Sequence, residues 1–281
     1  MPIVQVNDSQ DPRLVDYRNV PDPVLLRERG IFVAESRFVV RELLANQRFR
    51  TRSLLVSGAA LESLRDLLDA RPDDLPIYVG AHQFLKRVVG FNVHRGCLAV
   101  AERPDRVDYA ELLQLPSARL VVVLEDVGNP DNVGGIFRNA SAFGVECVLL
   151  SPKCSDPLYR KAIRVSIGAT LRIPFGDIND WPDGLTRLRD MGFTIAALTP
   201  APDAEDIEDF VADLPARFVL LVGTEGPGLS EAATVSADRR VRIRMAPDID
   251  SLNVATAAGI ALYRIRVGSR GYTKGQQHPS G

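Results

Sequence analysis

Two polar side chains stand out in the stretch LEDVGNPDNVGGIFRNASAFGVE, residues 124–146. Asn132 sits in a turn with Gly128, Asn129, Pro130, Asp131, Gly134 and Gly135, and Arg138 lies in the helical pattern that follows. On a helical wheel Val133, Ile136, Phe137, Ala140 and Phe143 form one stripe. Arg138 falls roughly 160° from the centre of that stripe at about 100° per residue, so it points away from its own core. A lone helical arginine is most often solvated, but the turn in front of it argues for more. Strand-to-helix turns at the carboxyl ends of parallel strands are where α/β sheets bind ligands. A guanidinium there offers a planar fork of donors to phosphate or ribose oxygens. Asn132 is of the type that caps a helix or occupies its first turn, and the glycines permit close backbone approach or positive φ.

Two later turns have the same character. VGTEGPGLSEAA (222–233) carries Glu225 at its tip, among Gly223, Gly226, Pro227 and Gly228, with Ser230 set to cap a helix. RMAPDIDSLNVATAAGIALY (244–263) offers Asp250 or Ser251 as a helix cap, Asn253 in the first turn, and then Ala255, Ala257, Ala258, Gly259 and Ala261. Taken singly, Glu225 reads as a solvated turn carboxylate, Asn253 as a side chain bonded to local backbone, and the small residues as a packing face. None of the three turns is a G-x-G-x-x-G fingerprint or a P-loop, which disfavours a nucleotide-dependent oxidoreductase. His82, His94 and His278 all lie outside these turns, so no histidine base is expected.

The elements that must position these residues follow from the hydrophobic pattern. GIFVAE (30–35), SLLVS (53–57), PIYVG (76–80) and CLAVAER (97–103) read as strands. SRFVVRELLANQ (36–47), LESLRDLLDA (61–70) and HQFLKRVV (82–89) read as the helices between them. This alternation predicts a small α/β sandwich. The polar segment RPDRVDYAELLQLPSAR (103–119) marks a domain boundary. Beyond it LVVVLED, ECVLLS (146–151), TIAALT (194–199), FVLLVG (218–223) and RVRIRM (240–245) are apolar runs with little alternation, as strands covered on both faces require. The last helix is SLNVATAAGIALYRIR (251–266), and the tail GSRGYTKGQQHPSG reads as disordered.

Composition fits this picture. The chain has 281 residues, 46% hydrophobic and 25% charged, with a net charge of -2, which is ordinary for a globular protein of two domains. That balance argues against a non-specific nucleic-acid coat while leaving room for local basic patches. Cys97, Cys147 and Cys154 suggest neither a disulfide framework nor a metal site, and a cytoplasmic setting fits. The first residues lack the apolar core of a signal peptide, and no run is long enough to span a membrane.

Taken together, the three turns resemble the SpoU family of RNA 2′-O-ribose methyltransferases, of the trefoil-knot superfamily. The motif N-x-G-x-x-x-R-x-A-x-x-F-G is matched by Asn132, Gly134, Arg138, Ala140, Phe143 and Gly144; VGTEGPGLS (222–230) and DSLNVATAAGIAL (250–262) match the second and third motifs, and SIGA (166–169) and RIPF (172–175) are also similar. GIFVAESRFVVRELL and FNVHRGCLAV more loosely resemble an RNA-binding domain related to kink-turn-binding ribosomal proteins.

The resemblance implies an RNA-binding domain over 1–105, a linker over 106–118, an α/β trefoil-knot methyltransferase domain with a parallel sheet over 119–268, and a tail over 269–281. It implies S-adenosylmethionine as cofactor, with Thr199, Gly223, Ile243, Leu252 and Asn253 around it. It implies a homodimer through the last helix and the knot. The catalytic candidates become Asn132, Arg138, Glu225, Ser251 and Asn253. Arginine is effectively always protonated, so Arg138 is read as holding the phosphate or ribose of the target nucleotide, with a carboxylate or an RNA phosphate taking the proton and Glu225 orienting Arg138 or Asn132. Arg37, Arg41, Arg95, Arg160, Lys161 and Arg164 are the RNA-contact candidates; Arg48, Arg50, Arg52, Arg172, Arg264, Arg266, Arg270 and Lys274 extend the same basic groups, which contain one acid, Glu42. The expected partner is ribosomal RNA ahead of transfer RNA. A non-catalytic RNA-binding or ribosome-assembly protein with the same fold is the rival reading.

Overall fold

The computed structural model describes residues 2–18, 20–70, 74–90, 96–105, 108–113 and 119–268. His94, Arg95, His278, Arg270, Lys274, most of the expected linker and the expected tail lie outside them. The chain packs as two compact units, one of Met1–Asp108 with Gly128–Arg138 and Ser155–Pro174, the other of Tyr109–Val127, Asn139–Cys154 and Phe175–Gly281.

The first unit is built on a five-stranded sheet ordered Ile3–Gln5, Ile77–Val79, Thr51–Val56, Cys97–Glu102 and Ile31–Glu35. The first two pairings are parallel and the last two antiparallel. Strand Ile31–Glu35 is buried along its whole length, because helix Arg37–Ala45 and helix Arg160–Val165 both pack on it. His82–Val89 is helical as its periodicity predicts. The expected helix over 61–70 is instead two short ones, Gly58–Glu62 and Arg65–Asp69. Between them the Ser63 hydroxyl donates to the Ala60 carbonyl at 2.7 Å, the kind of local bond by which serine competes with helix. Cys97 is fully enclosed, and burial pushes its thiol up to about 12, so it packs as a small apolar group.

Segment 155–174 is fastened to this sheet by side chains far away in sequence. Asp22 accepts from the Arg160 side chain at 2.6 Å and from its backbone N–H at 3.0 Å, and Arg160 also donates to the Val20 carbonyl at 2.8 Å. Arg103 pairs with Asp156 at 2.7 Å, Arg172 with Glu42 at 2.9 Å, and the Asn46 amide donates to the Leu171 carbonyl.

The second unit holds a seven-stranded sheet in which every pairing is parallel, ordered Glu205–Asp206, Arg239–Arg242, Thr194–Leu198, Phe218–Val222, Leu120–Leu124, Cys147–Leu150 and Phe175–Asp177. Leu120–Leu124 and Phe218–Val222 are buried at every position, as their unalternating sequences predict. Each large side chain enclosed there contributes about 1.5–3 kcal/mol relative to exposure. The expected strand over 240–245 ends at Arg242, and Ile243 onward leaves the sheet. The last helix runs over Val254–Gly268. Its small face serves internal packing in part: Ala258 and Ala261 are fully buried, and the Asn139 amide lies against Gly259 while donating to the Ala255 carbonyl at 2.7 Å. Among the described residues no helix is long and apolar enough to cross a membrane.

Candidate active site

In the second unit the carboxyl ends of three parallel strands and the approach to the last helix enclose a cavity of about 390 Å³. Thr199, Gly223, Glu225, Ile243, Ser251, Leu252 and Asn253 all line it. Sequence reasoning named each of these; Leu198, Val222, Met245 and Ala257 also line it and were not named. The volume falls within the range of pockets that take small organic ligands, and the mix of apolar wall and a few polar groups is typical of them.

The loop after Phe218–Val222 makes one wall. Thr224 and Gly228 bridge to each other, with the Gly228 N–H donating to the Thr224 carbonyl at 3.2 Å. This fold-back brings the Gly228 backbone against Gly223. A Cβ on Gly223 would fall 2.3 Å from the Gly228 carbonyl carbon and 2.5 Å from Leu229 N. Glycine is therefore required at 223 by close approach.

The loop before the last helix makes the facing wall. The helix is capped by Asn253, three residues after the expected Asp250 and two after Ser251. Its side-chain oxygen accepts from Ala255 N at 3.0 Å and Thr256 N at 3.2 Å, the N-cap geometry. Its amide nitrogen donates to the Glu225 carboxylate. The partner of Glu225 is thus Asn253, where Arg138 or Asn132 was expected. Asn253→Ala is expected to cost about 1 kcal/mol for the lost cap and to release Glu225. Thermal melts and calorimetric ligand titration of the same variant check both effects.

Asn132 and Arg138 belong to the other unit. Their helix, Pro130–Phe143, begins with proline, which suits a first helical position. Asn129 stands before it, its side chain accepting from Asp131 N at 2.9 Å. Asn132 is therefore inside the first turn, and it is buried. Val133, Ile136, Phe137 and Ala140 are fully buried while Arg138 is exposed, as the wheel predicts. Among the described residues Arg138 has no hydrogen-bond or ion-pair partner. Gly134 is needed for packing, since a Cβ there would lie 2.7 Å from the Ala162 carbonyl oxygen.

The basic candidates separate into engaged and unengaged groups. Arg160 is locked to Asp22, Lys161 pairs with Asp131 at 2.6 Å, Arg172 with Glu42, and Arg41 with Asp66. Arg164 is exposed and has no partner among the described residues. Arg37 is half-buried, and Arg95 is not described. Arg160→Ala is expected to lower stability by roughly 1.5–3 kcal/mol, as the loss of charged hydrogen bonds does, with little change in RNA affinity. Arg164→Ala should do the reverse and flatten the salt dependence of binding. Melts and filter binding across a salt series check the pair.

Sequence reasoning missed one group of the second unit. Glu125, directly after strand Leu120–Leu124, is a buried carboxylate. It accepts from the Trp181 indole at 2.7 Å, the Ser230 hydroxyl at 2.6 Å and Ser230 N at 2.8 Å. A carboxylate beside an apolar run reads as the first residue of a loop, and its partners lie too far along the chain to be signalled.

Comparisons with known proteins agree with this architecture. The model of the SpoU rRNA methylase family matches residues 119–263. An uncharacterised tRNA/rRNA methyltransferase of Mycobacterium bovis is 40% identical over 266 residues, covering 93% of this chain and 91% of that one. A crystal structure described as an AdoMet-bound rRNA methyltransferase from Sinorhizobium meliloti superimposes with a TM-score of 0.78 at 22% identity, covering 94% of this chain and 98% of that one. Another, described as an RNA 2′-O ribose methyltransferase, gives 0.76 at 23% identity, with 95% and 99% covered. These likenesses give the fold, the α/β trefoil-knot class with a parallel sheet. With more than half of its length matched by the family model and a 40% identical relative along nearly all of it, the chain belongs to the SpoU rRNA methylase family.

Proposed function

We propose that this protein transfers a methyl group from S-adenosylmethionine to a ribose 2′-hydroxyl in structured RNA, ribosomal RNA ahead of transfer RNA. The observation that carries the reading is the cavity of the second unit, walled by two of the family's motif loops and cross-braced by Glu225 and Asn253. Its chemistry fits the cofactor. Leu198, Val222, Ile243 and Leu252 offer apolar surface to a purine, while Thr199, Glu225, Ser251 and Asn253 offer polar groups to a ribose and an amino acid. When bound, S-adenosylmethionine supplies an electrophilic methyl on a sulfonium.

The chain's own residues then have three tasks. Gly223 keeps the wall close and free of side chain. Asn253 holds the Glu225 carboxylate at the cavity, where it receives donors from the cofactor or a proton from the hydroxyl. Arg138, exposed and unpaired among the described residues, grips a phosphate or ribose of the target nucleotide and fixes it for in-line attack. The partition into an RNA-binding domain over 1–105 and a methyltransferase domain over 119–268 belongs to the same reading, as does a homodimer through the last helix. Ile260, Tyr263 and Val267 are exposed along one line of that helix, a stripe that a second copy would cover.

The test is methyl incorporation by the full chain from labelled cofactor into unmodified ribosomal and transfer RNA. A 2′-O-methyl blocks alkaline cleavage at its own phosphodiester, so the product should show one protected linkage. Label in RNA that remains fully cleavable would refute ribose methylation, and label in transfer RNA alone would overturn the order of substrates. Light scattering that reports a monomer would overturn the dimer.

A further inference from the structure

We propose that Glu125 is a positioning residue, a buried strut that sets the shape of the loop 223–229 and through it the cavity's affinity for S-adenosylmethionine, with Trp181 as its fixed donor. The affinity half of this rests on the proposed function; the loop half does not.

Glu125 holds both ends of the loop. Its backbone N–H donates to the Val222 carbonyl at 2.9 Å, which adds one rung to the ladder between Leu120–Leu124 and Phe218–Val222. Its side chain takes the other end at Ser230, through the backbone N–H and the hydroxyl. Ser230 cannot rotate away, because its oxygen also accepts from Ala233 N at 3.1 Å and so caps helix Glu231–Val235. The hydroxyl proton is thereby directed to Glu125 and a lone pair to Ala233. Trp181 supplies the third donor. Its ring and Leu229 both pack on the core that includes Val123, Leu221 and Ala233.

A buried carboxylate is tolerated when donors surround it. Three donors on two oxygens meet that requirement here. The same three donors make the site intolerant of an amide. In Glu125→Gln one oxygen becomes an NH₂ group that must face a donor, so at least one bond is lost. The Ser230 end then relaxes. Between the two ends the loop has little slack: Gly223 is pressed on Gly228, Gly228 bridges Thr224, and Glu225 is tied to Asn253. Movement at Ser230 is therefore carried to the wall of the cavity, and pre-organisation for the ligand is lost.

Trp181 is the sole tryptophan of the chain, so its emission reports the strut directly. The experiment uses the full chain as wild type, Glu125→Gln and Ser230→Ala, with S-adenosylmethionine titrated by calorimetry and Trp181 followed by emission and acrylamide quenching. Glu125→Gln is expected to weaken binding on the order of tenfold, to shift the emission and to raise quenching. Limited proteolysis should cut 223–229 faster. Ser230→Ala, at an exposed position, should weaken binding less and leave the fold intact, and it carries the test if Glu125→Gln does not fold. At saturating cofactor kcat should recover while KM for the cofactor stays raised; a carboxylate that only stabilises the unit would lower the melting temperature and leave KM alone. Folded variants with wild-type affinity, or with unchanged emission and proteolysis, would overturn the strut. If the wild type gives no heat with S-adenosylmethionine, the cofactor reading fails, and emission and proteolysis decide the loop half alone.

Discussion

Gly223→Ala is expected to weaken cofactor binding about a hundredfold in a protein that still folds. The added methyl would meet the Gly228 carbonyl carbon at 2.3 Å, its oxygen at 2.5 Å and Leu229 N at 2.5 Å. All three are backbone atoms, so no flexible side chain can yield. Relief requires Gly228 to move, which opens the bridge to Thr224 and drags Glu225 with it. Overpacking of this kind costs about 1–3 kcal/mol. Because the loop is at the cavity rather than in the sheet, most of the effect should fall on affinity. We expect S-adenosylmethionine to bind about a hundredfold more weakly, roughly 2.7 kcal/mol, with a melting temperature lowered by about 2–4 °C. Calorimetry on the purified variant decides it. Binding within a factor of two of wild type would mean that the wall is not where the cofactor sits.

Arg138→Ala should have the opposite profile, a large kinetic loss with no cost in stability. Arg138 is exposed and has no partner among the described residues, so its removal leaves nothing unpaired. Surface changes of that type stay within about 0.5 kcal/mol. If the guanidinium grips the target nucleotide, kcat/KM should drop by about 10²–10³, the range for losing one electrostatic contact to the reacting group. Arg138→Lys separates charge from geometry. Lysine keeps the charge and loses the fork, so it should recover a minor part of the activity. Single-turnover methyl transfer measures both variants, and near-full activity of the lysine variant would rule out a two-pronged grip. Unaltered cofactor affinity is expected in each.

How much of this could be read in advance depends on the range of the interaction. Leu120–Leu124 and Phe218–Val222 are apolar throughout, and the stripe Val133–Ile136–Phe137–Ala140 repeats at helical spacing. Such patterns are local, so strands, helix face and the outward direction of Arg138 were legible. Strands Phe175–Asp177 and Glu205–Asp206 were not, since neither contains an apolar run; each exists because a neighbouring strand offers it a free edge. The cap at Asn253 was displaced from Asp250 or Ser251 because all three residues have capping chemistry, and the choice is made by where the helix can start against its neighbours. Seven of the candidate residues converge on one cavity, but that Glu225 would bond Asn253 depends on a pairing 28 positions apart. Glu125, and the Arg160–Asp22 lock 138 positions apart, left no trace in the local pattern.

The packing of 155–174 on the N-terminal sheet bears on how such a protein can be assembled or divided. A gene fragment starting at residue 119 would encode every family motif, yet Arg160 and Arg172 would lack Asp22 and Glu42. Asp156 would lack Arg103, and the helix Arg160–Val165 would lose the buried strand Ile31–Glu35 it covers. The leading hundred residues therefore supply packing and ion-pair partners to 155–174, and a fragment starting at residue 119 is expected to melt below the full chain. Domain exchange between relatives would have to replace both sides of this seam together.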